Sequence, residues 1–307
     1  MKVWYGAAVL SILLAGCSGE DVAETGAKPT GRPVVYASNY PLQYFAQKIS
    51  APLVDVRLPV PPGQDPAFWA PTPEDVAALQ KADLVVLNGA SYESWLKNVS
   101  LPSSRLVDTT QGLQEQFIAL KESITHSHGP DGEHEHSATA FTTWLDLAWA
   151  IEQARAIEEA FSKRWPEHKG QFEAQFQKLA KELEALDAEI SQTAKAAAGV
   201  PVLFSHPVYQ YFERRYQVNG RSVHWEPDEM PSESLWQELT TLLSSHPAKW
   251  MIWEGTPAPE ITAKLADLGV QSIVFDPCAG APAAGDFASV MKLNIQALKA
   301  VGPGAAE

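Results

Sequence analysis

Short apolar runs closed by Gly, Pro or Asp recur along this chain, and between them apolar residues return every three or four positions. The first pattern reads as buried strands, the second as amphipathic helices. In the first half, strands are predicted at residues 33–38, 53–58, 83–89 and 105–108, with a helix at about 41–49. Thr72-Pro73-Glu74-Asp75 opens a further helix by its chemistry: a Thr cap, Pro at the first helical position and acids in the first turn. In the second half, strands are predicted at 199–204, 222–226, 249–255 and 271–278. Strands that alternate with helices build parallel sheets through right-handed crossovers.

Between the two sets lies a long helical stretch, with helices expected at about 143–165 and 166–197. In the second of these Phe172, Phe176, Leu179, Leu183 and Leu186 repeat at helical spacing among charged residues, a core-facing stripe. About 30 residues of helix extend roughly 45 Å, enough for a strut. The expected fold class is therefore α/β: two Rossmann-like lobes with parallel sheets, joined by a long rigid helix, with a ligand cleft between the lobes. The expected bounds are 32–142 for the first lobe, 143–197 for the linking helices and 198–307 for the second lobe.

The chain begins differently. Lys2 precedes the apolar stretch 7–14 and then Ala15-Gly16-Cys17, the order of a secretory signal. The stretch is too short to span a bilayer as a mature helix. Leu14-Ala15-Gly16-Cys17 resembles a bacterial lipobox, which implies cleavage before Cys17 and a lipid on its sulfur. Residues 18–31 are small, polar and charged, as in a flexible tether. An exported protein is expected, lipid-anchored to the bacterial cell membrane and facing the periplasm or the exterior. Only two cysteines exist, Cys17 and Cys278, so lipidation of the first leaves no internal disulfide. A formal net charge of −14 argues against nucleic acid and favours cationic ligands. A monomer is expected.

Open α/β sheets bind ligands at the carboxyl ends of their strands. His206 follows the 199–204 run, Glu254 ends the 249–255 run and Asp276 ends the last one, so all three should face one cleft. Cys278 reads as a small buried residue. A separate cluster lies at 125–137, where His126, His128, His134 and His136 stand among three carboxylates in a polar, turn-rich segment. This reads as a loop without regular structure and as a weak collector of divalent metal.

The order Pro71-x-Pro73-Glu74-Asp75-Val76, Ala82-Asp83-Leu84-Val85-Val86-x-Asn88-Gly89, Trp144-Leu145-Asp146, Ser205-His206 and Phe275-Asp276 resembles the zinc- and manganese-binding proteins of bacterial ABC importers. The likeness runs from about Arg32 to the last helix. It implies two lobes bridged by a helix, a metal in the cleft and an ABC permease as partner. His206 and Asp276 match the third and fourth ligands of that family, and Glu254 a recurrent acid not counted among the ligands. The first two ligand positions have departed, because Ala67 and Thr142 stand where the family carries histidines. Glu254, His224, Asp65 and the histidine segment are candidates to complete the shell.

The expected function is capture of a divalent transition metal, zinc before manganese, for delivery to a permease. The alternative is an organic cation or a metal complex held against Trp69, Trp144 and Trp225. An enzyme built on Ser205 and His206 is disfavoured, since adjacent side chains point apart and no Gly-x-Ser-x-Gly oxyanion motif is present.

Overall fold

The structure is a computed structural model that describes Met1, residues 31–120, the backbone of 125–127 and 133–135, and residues 139–302. The chain divides into two units, Met1–Gly31 and Arg32–Glu307. All elements below belong to the second. Cys17 and the signal lie outside the described residues.

The first lobe is a parallel sheet of β1 (Val34–Ala37), β2 (Asp55–Arg57), β3 (Leu84–Leu87) and β4 (Leu106–Asp108), in the order β2-β1-β3-β4. Helix α1 (Tyr40–Ser50) starts at Asn39, whose side chain accepts from the Leu42 amide. Helix α2 (Pro73–Lys81) begins with the expected reciprocal cap between Thr72 and Asp75. The histidine segment departs from the expectation of a structureless loop. Its backbone forms two short antiparallel strands, β5 (Thr125–Ser127) and β6 (Glu133–Glu135), with His126 opposite His134. Such pairing depends on a partner strand, and a polar stretch without alternation carries no sign of it. His128 and His136 lie outside the described residues.

Helix α3 (Leu147–Arg164) starts later than the periodicity suggests. Asp146 caps it by accepting from the Ala148 and Trp149 amides, and a 3-10 turn occupies Thr143–Leu145 before the cap. Helix α4 (Lys169–Ala196) has 28 residues, and its stripe of Phe172, Phe176, Leu179, Leu183 and Leu186 is buried. The second lobe follows with β7 (Pro201–Phe204), α5 (Gln210–Tyr216), β8 (Asn219–Ser222), α6 (Glu233–Ser245), β9 (Trp250–Trp253), α7 (Pro259–Asp267), β10 (Gln271–Val274) and α8 (Phe287–Leu298). Its sheet is again parallel, in the order β10-β9-β7-β8.

Helix α4 is tied to both lobes. Glu182 accepts from the Tyr44 hydroxyl on α1 at 3.3 Å, and Asp187 pairs with Arg215 on α5 at 2.6 Å. One apolar cluster runs through both lobes and includes Phe45, Trp144, Phe172, Phe204, Phe212 and Phe287. The Phe45 and Phe287 rings meet edge to face at 5.5 Å, joining α1 to α8. Each such side chain contributes about 1.5–3 kcal/mol by leaving water. A shared core of this kind holds the lobes against each other.

Candidate metal centre

In both sheets the first strand lies between the second and the third, so the crossovers leave it in opposite directions. That divergence opens a crevice beyond the carboxyl ends of β1 and β3 in one lobe, and of β7 and β9 in the other. The two crevices have different contents.

The first is filled by its own polar groups. The Asn88 amide donates to Ser38 Oγ at 3.1 Å and to Glu93 Oε1 at 2.6 Å. The Asn88 side chain donates to the Phe141 carbonyl at 2.9 Å and accepts from Thr143 Oγ1 and Gln153 Nε2. Burial pushes the Glu93 carboxyl up to about 7, against hydrogen bonds from Ser38, Asn88 and Gly89 that favour its charged form. These groups are bonded chiefly to one another, although Gln153 Oε1 is buried without a hydrogen-bond partner among the described residues.

The second crevice collects an imidazole and acids. His206 stands two residues past β7 and is 6% exposed, and Glu254 follows directly on β9. The chain beyond β8 continues alongside β7, as the Val223 amide donates to the Phe204 carbonyl and the Trp225 amide to that of Ser205. Alternation along this extension turns Trp225 into the core beneath, against Trp236 and Trp253. His224 and Glu226 fall on the opposite face, toward His206. The His206 and His224 rings lie 5.8 Å apart, edge to face. His206 Nδ1 is 3.6 Å from Glu226 Oε1 and 3.8 Å from Glu254 Oε1. Ligand atoms of these three residues all lie within 4.8 Å of one another. A zinc ion about 2.0–2.2 Å from each donor sets tetrahedral neighbours roughly 3.3–3.6 Å apart. The observed spacing needs only small shifts to close on a cation.

The field is strongly negative. Burial first, then the charges of Glu226, Asp65 and Asp276, push the Glu254 carboxyl up to about 8. Burial also raises Asp276, against a hydrogen bond from the Cys278 amide to Asp276 Oδ1 at 2.6 Å. A buried carboxyl raised by three neighbouring acids marks a place that a cation would stabilise.

The structure thus brings together His206 and Glu254 of the expected ligands and adds Glu226. Asp276 and His224 border the group without joining it. The Asp276 backbone is clamped by Asn294 of α8 at 2.9 and 2.8 Å, and its carboxylate turns toward Cys278, which is buried as expected. Ala67 is buried in the cluster that holds Tyr92 and Trp144, and its amide donates to Asp65 Oδ1 at 2.9 Å. The Thr142 hydroxyl donates to the Val208 carbonyl of the other lobe. Of the aromatic residues considered for an organic ligand, Trp69, Trp144 and Trp225 are 4%, 0% and 2% exposed and sit in apolar clusters. They present no open face.

The family model for zinc-uptake complex component A, periplasmic (ZnuA), matches residues 35–301. The high-affinity zinc uptake system protein ZnuA of Bacillus subtilis is 26% identical over 97% of each chain. The zinc-binding lipoprotein AdcA of Streptococcus pneumoniae is 23% identical over 95% of this chain, which spans 59% of that protein. Among known structures, the metal-dependent lipoprotein YcdH of Bacillus subtilis superposes with a TM-score of 0.75 at 24% identity, covering 88% of this chain and 98% of that one. The Zn(II)-bound ZnuA-like domain of Streptococcus pneumoniae AdcA gives 0.74 at 20% identity, covering 88% and 99%. With nearly every element of the two lobes inside the matched span, the chain belongs to the family of periplasmic zinc-uptake component A proteins.

Proposed function

We propose that this chain is the extracytoplasmic solute-binding component of an ABC importer, which captures a divalent transition metal and hands it to the permease. Zinc is the favoured ion and manganese the second. Cys17 carries the lipid that holds the protein at the membrane, and the chain acts as a monomer. Among the described residues no helix is long and apolar enough to cross a membrane. The observation that carries this reading is the convergence of His206, Glu226 and Glu254 at the open crevice of the second lobe. Imidazole with carboxylate suits a borderline divalent ion, and a donor set short of four leaves a position for water or for exchange. Binding without catalysis fits Ser205, which is fully buried beside His206. Isothermal titration of the metal-stripped mature protein tests the reading. One tight zinc equivalent is expected above any weak uptake by the histidine segment, and the absence of a tight equivalent would sink it.

A further inference from the structure

We propose that Glu226 is a metal ligand and that the second lobe alone holds the ion, while of the two first-lobe positions Ala67 offers no ligand atom and Thr142 serves to join the lobes. This rests on the capture reading above and specifies how that site is built. Glu226 lies closer to His206 Nδ1 than Glu254 does, at 3.6 Å against 3.8 Å. Its place is fixed from below. The Trp225 amide is bonded to Ser205, and the Trp225 ring lies 4.6 Å from that of Trp236 and 6.4 Å from that of Trp253. A residue anchored in this way keeps its neighbour's carboxylate over the crevice at little cost in entropy.

The first lobe has no matching donors where the family resemblance placed imidazoles. Ala67 carries no ligand atom and is 6% exposed. Thr142 is 4% exposed, and its hydroxyl is committed to Val208 on the loop that follows His206. Two further bonds cross nearby, from Trp144 Nε1 to the Pro277 carbonyl at 2.7 Å and from the Tyr40 amide to the Ala279 carbonyl at 2.8 Å. The lobes are therefore held together without an ion between them. One imidazole and two carboxylates from three neighbouring strand ends form the seat, with a water to complete it.

The test is a zinc titration of the whole mature chain against a competing chelator, which keeps the weaker histidine segment empty. Glu226→Gln keeps the side chain's shape, and it should weaken zinc binding about 100-fold or more, as should His206→Ala. Thr142→Val should leave affinity within about threefold, because it removes no ligand. X-ray absorption of the wild-type protein with one zinc equivalent should count a single imidazole among oxygen donors, a readout independent of how any variant folds. Unchanged affinity in Glu226→Gln beside a loss in His206→Ala would overturn this assignment and leave metal capture standing. Two or more imidazoles around the zinc would overturn it as well. No tight zinc in the wild type would bring down both.

Discussion

The Trp144 indole nitrogen donates to the Pro277 carbonyl at 2.7 Å, a fully buried bond from the turn before α3 to the loop after β10. It ties the element that leaves the first lobe to the segment that carries Asp276. Trp144→Phe removes the donor, strands the carbonyl and leaves a gap against Tyr92. A destabilisation of about 2 kcal/mol or more is expected. Urea denaturation checks it, and an unchanged midpoint would show that the bond contributes nothing.

Glu93 makes stability depend on pH. Its carboxyl is pushed from an ordinary value near 4.5 up to about 7. The folded chain therefore keeps this proton to higher pH than the unfolded chain does. The contribution is fully present below about 4.5 and is lost as the pH rises through about 7. Glu93→Gln should flatten that part of the profile, read as the urea midpoint at pH 4.5 and at pH 8. The same slope in the variant would place its origin elsewhere.

Gly89 holds a φ of +76°, and a Cβ there would run into Asp108 Oδ1 and Thr110 Oγ1. Gly89→Ala therefore adds backbone strain to a steric clash beside Asn88. Thermal melting should register a loss of about 2 kcal/mol or more. A wild-type melting temperature would mean that the turn yields freely.

The histidine hairpin pairs β5 with β6 and with no other described strand. Deleting residues 125–137 should remove weak zinc equivalents and leave the melting temperature within about 2 °C, since the segment contains no large apolar side chain. A large fall in melting temperature would show that the segment supports the fold.

Cys17 closes a lipobox-like run. Mass spectrometry of the membrane fraction should find it acylated, and Cys17→Ala should release the protein. An unmodified, soluble wild-type amino terminus would end the anchoring proposal.

Local chemistry made much of the architecture legible in the sequence. The Thr72–Asp75 cap, the α4 stripe and the apolar runs of β3, β7 and β9 act over a few residues, so periodicity and capping rules reach them. His206 and Glu254 were legible for the same reason, because a residue just past a buried strand must lie at the end of the sheet. The start of α3 was less so, since Asp146 caps the helix inside a stretch whose apolar spacing already looks helical.

Glu226 required the tertiary structure. Along the chain it is one of several acids between 226 and 233. Only the pairing of 223–225 with the end of β7, and the burial of Trp225 beneath, turn its carboxylate toward His206. The role of Thr142 was likewise decided by a partner far away in sequence, the Val208 carbonyl, and Ala67 is buried in a core cluster drawn from both lobes. Strand ends follow from short-range patterning and can be read one residue at a time. Which side chains meet above them depends on strand order, register and side-chain direction, and these are set by the packing of the whole molecule.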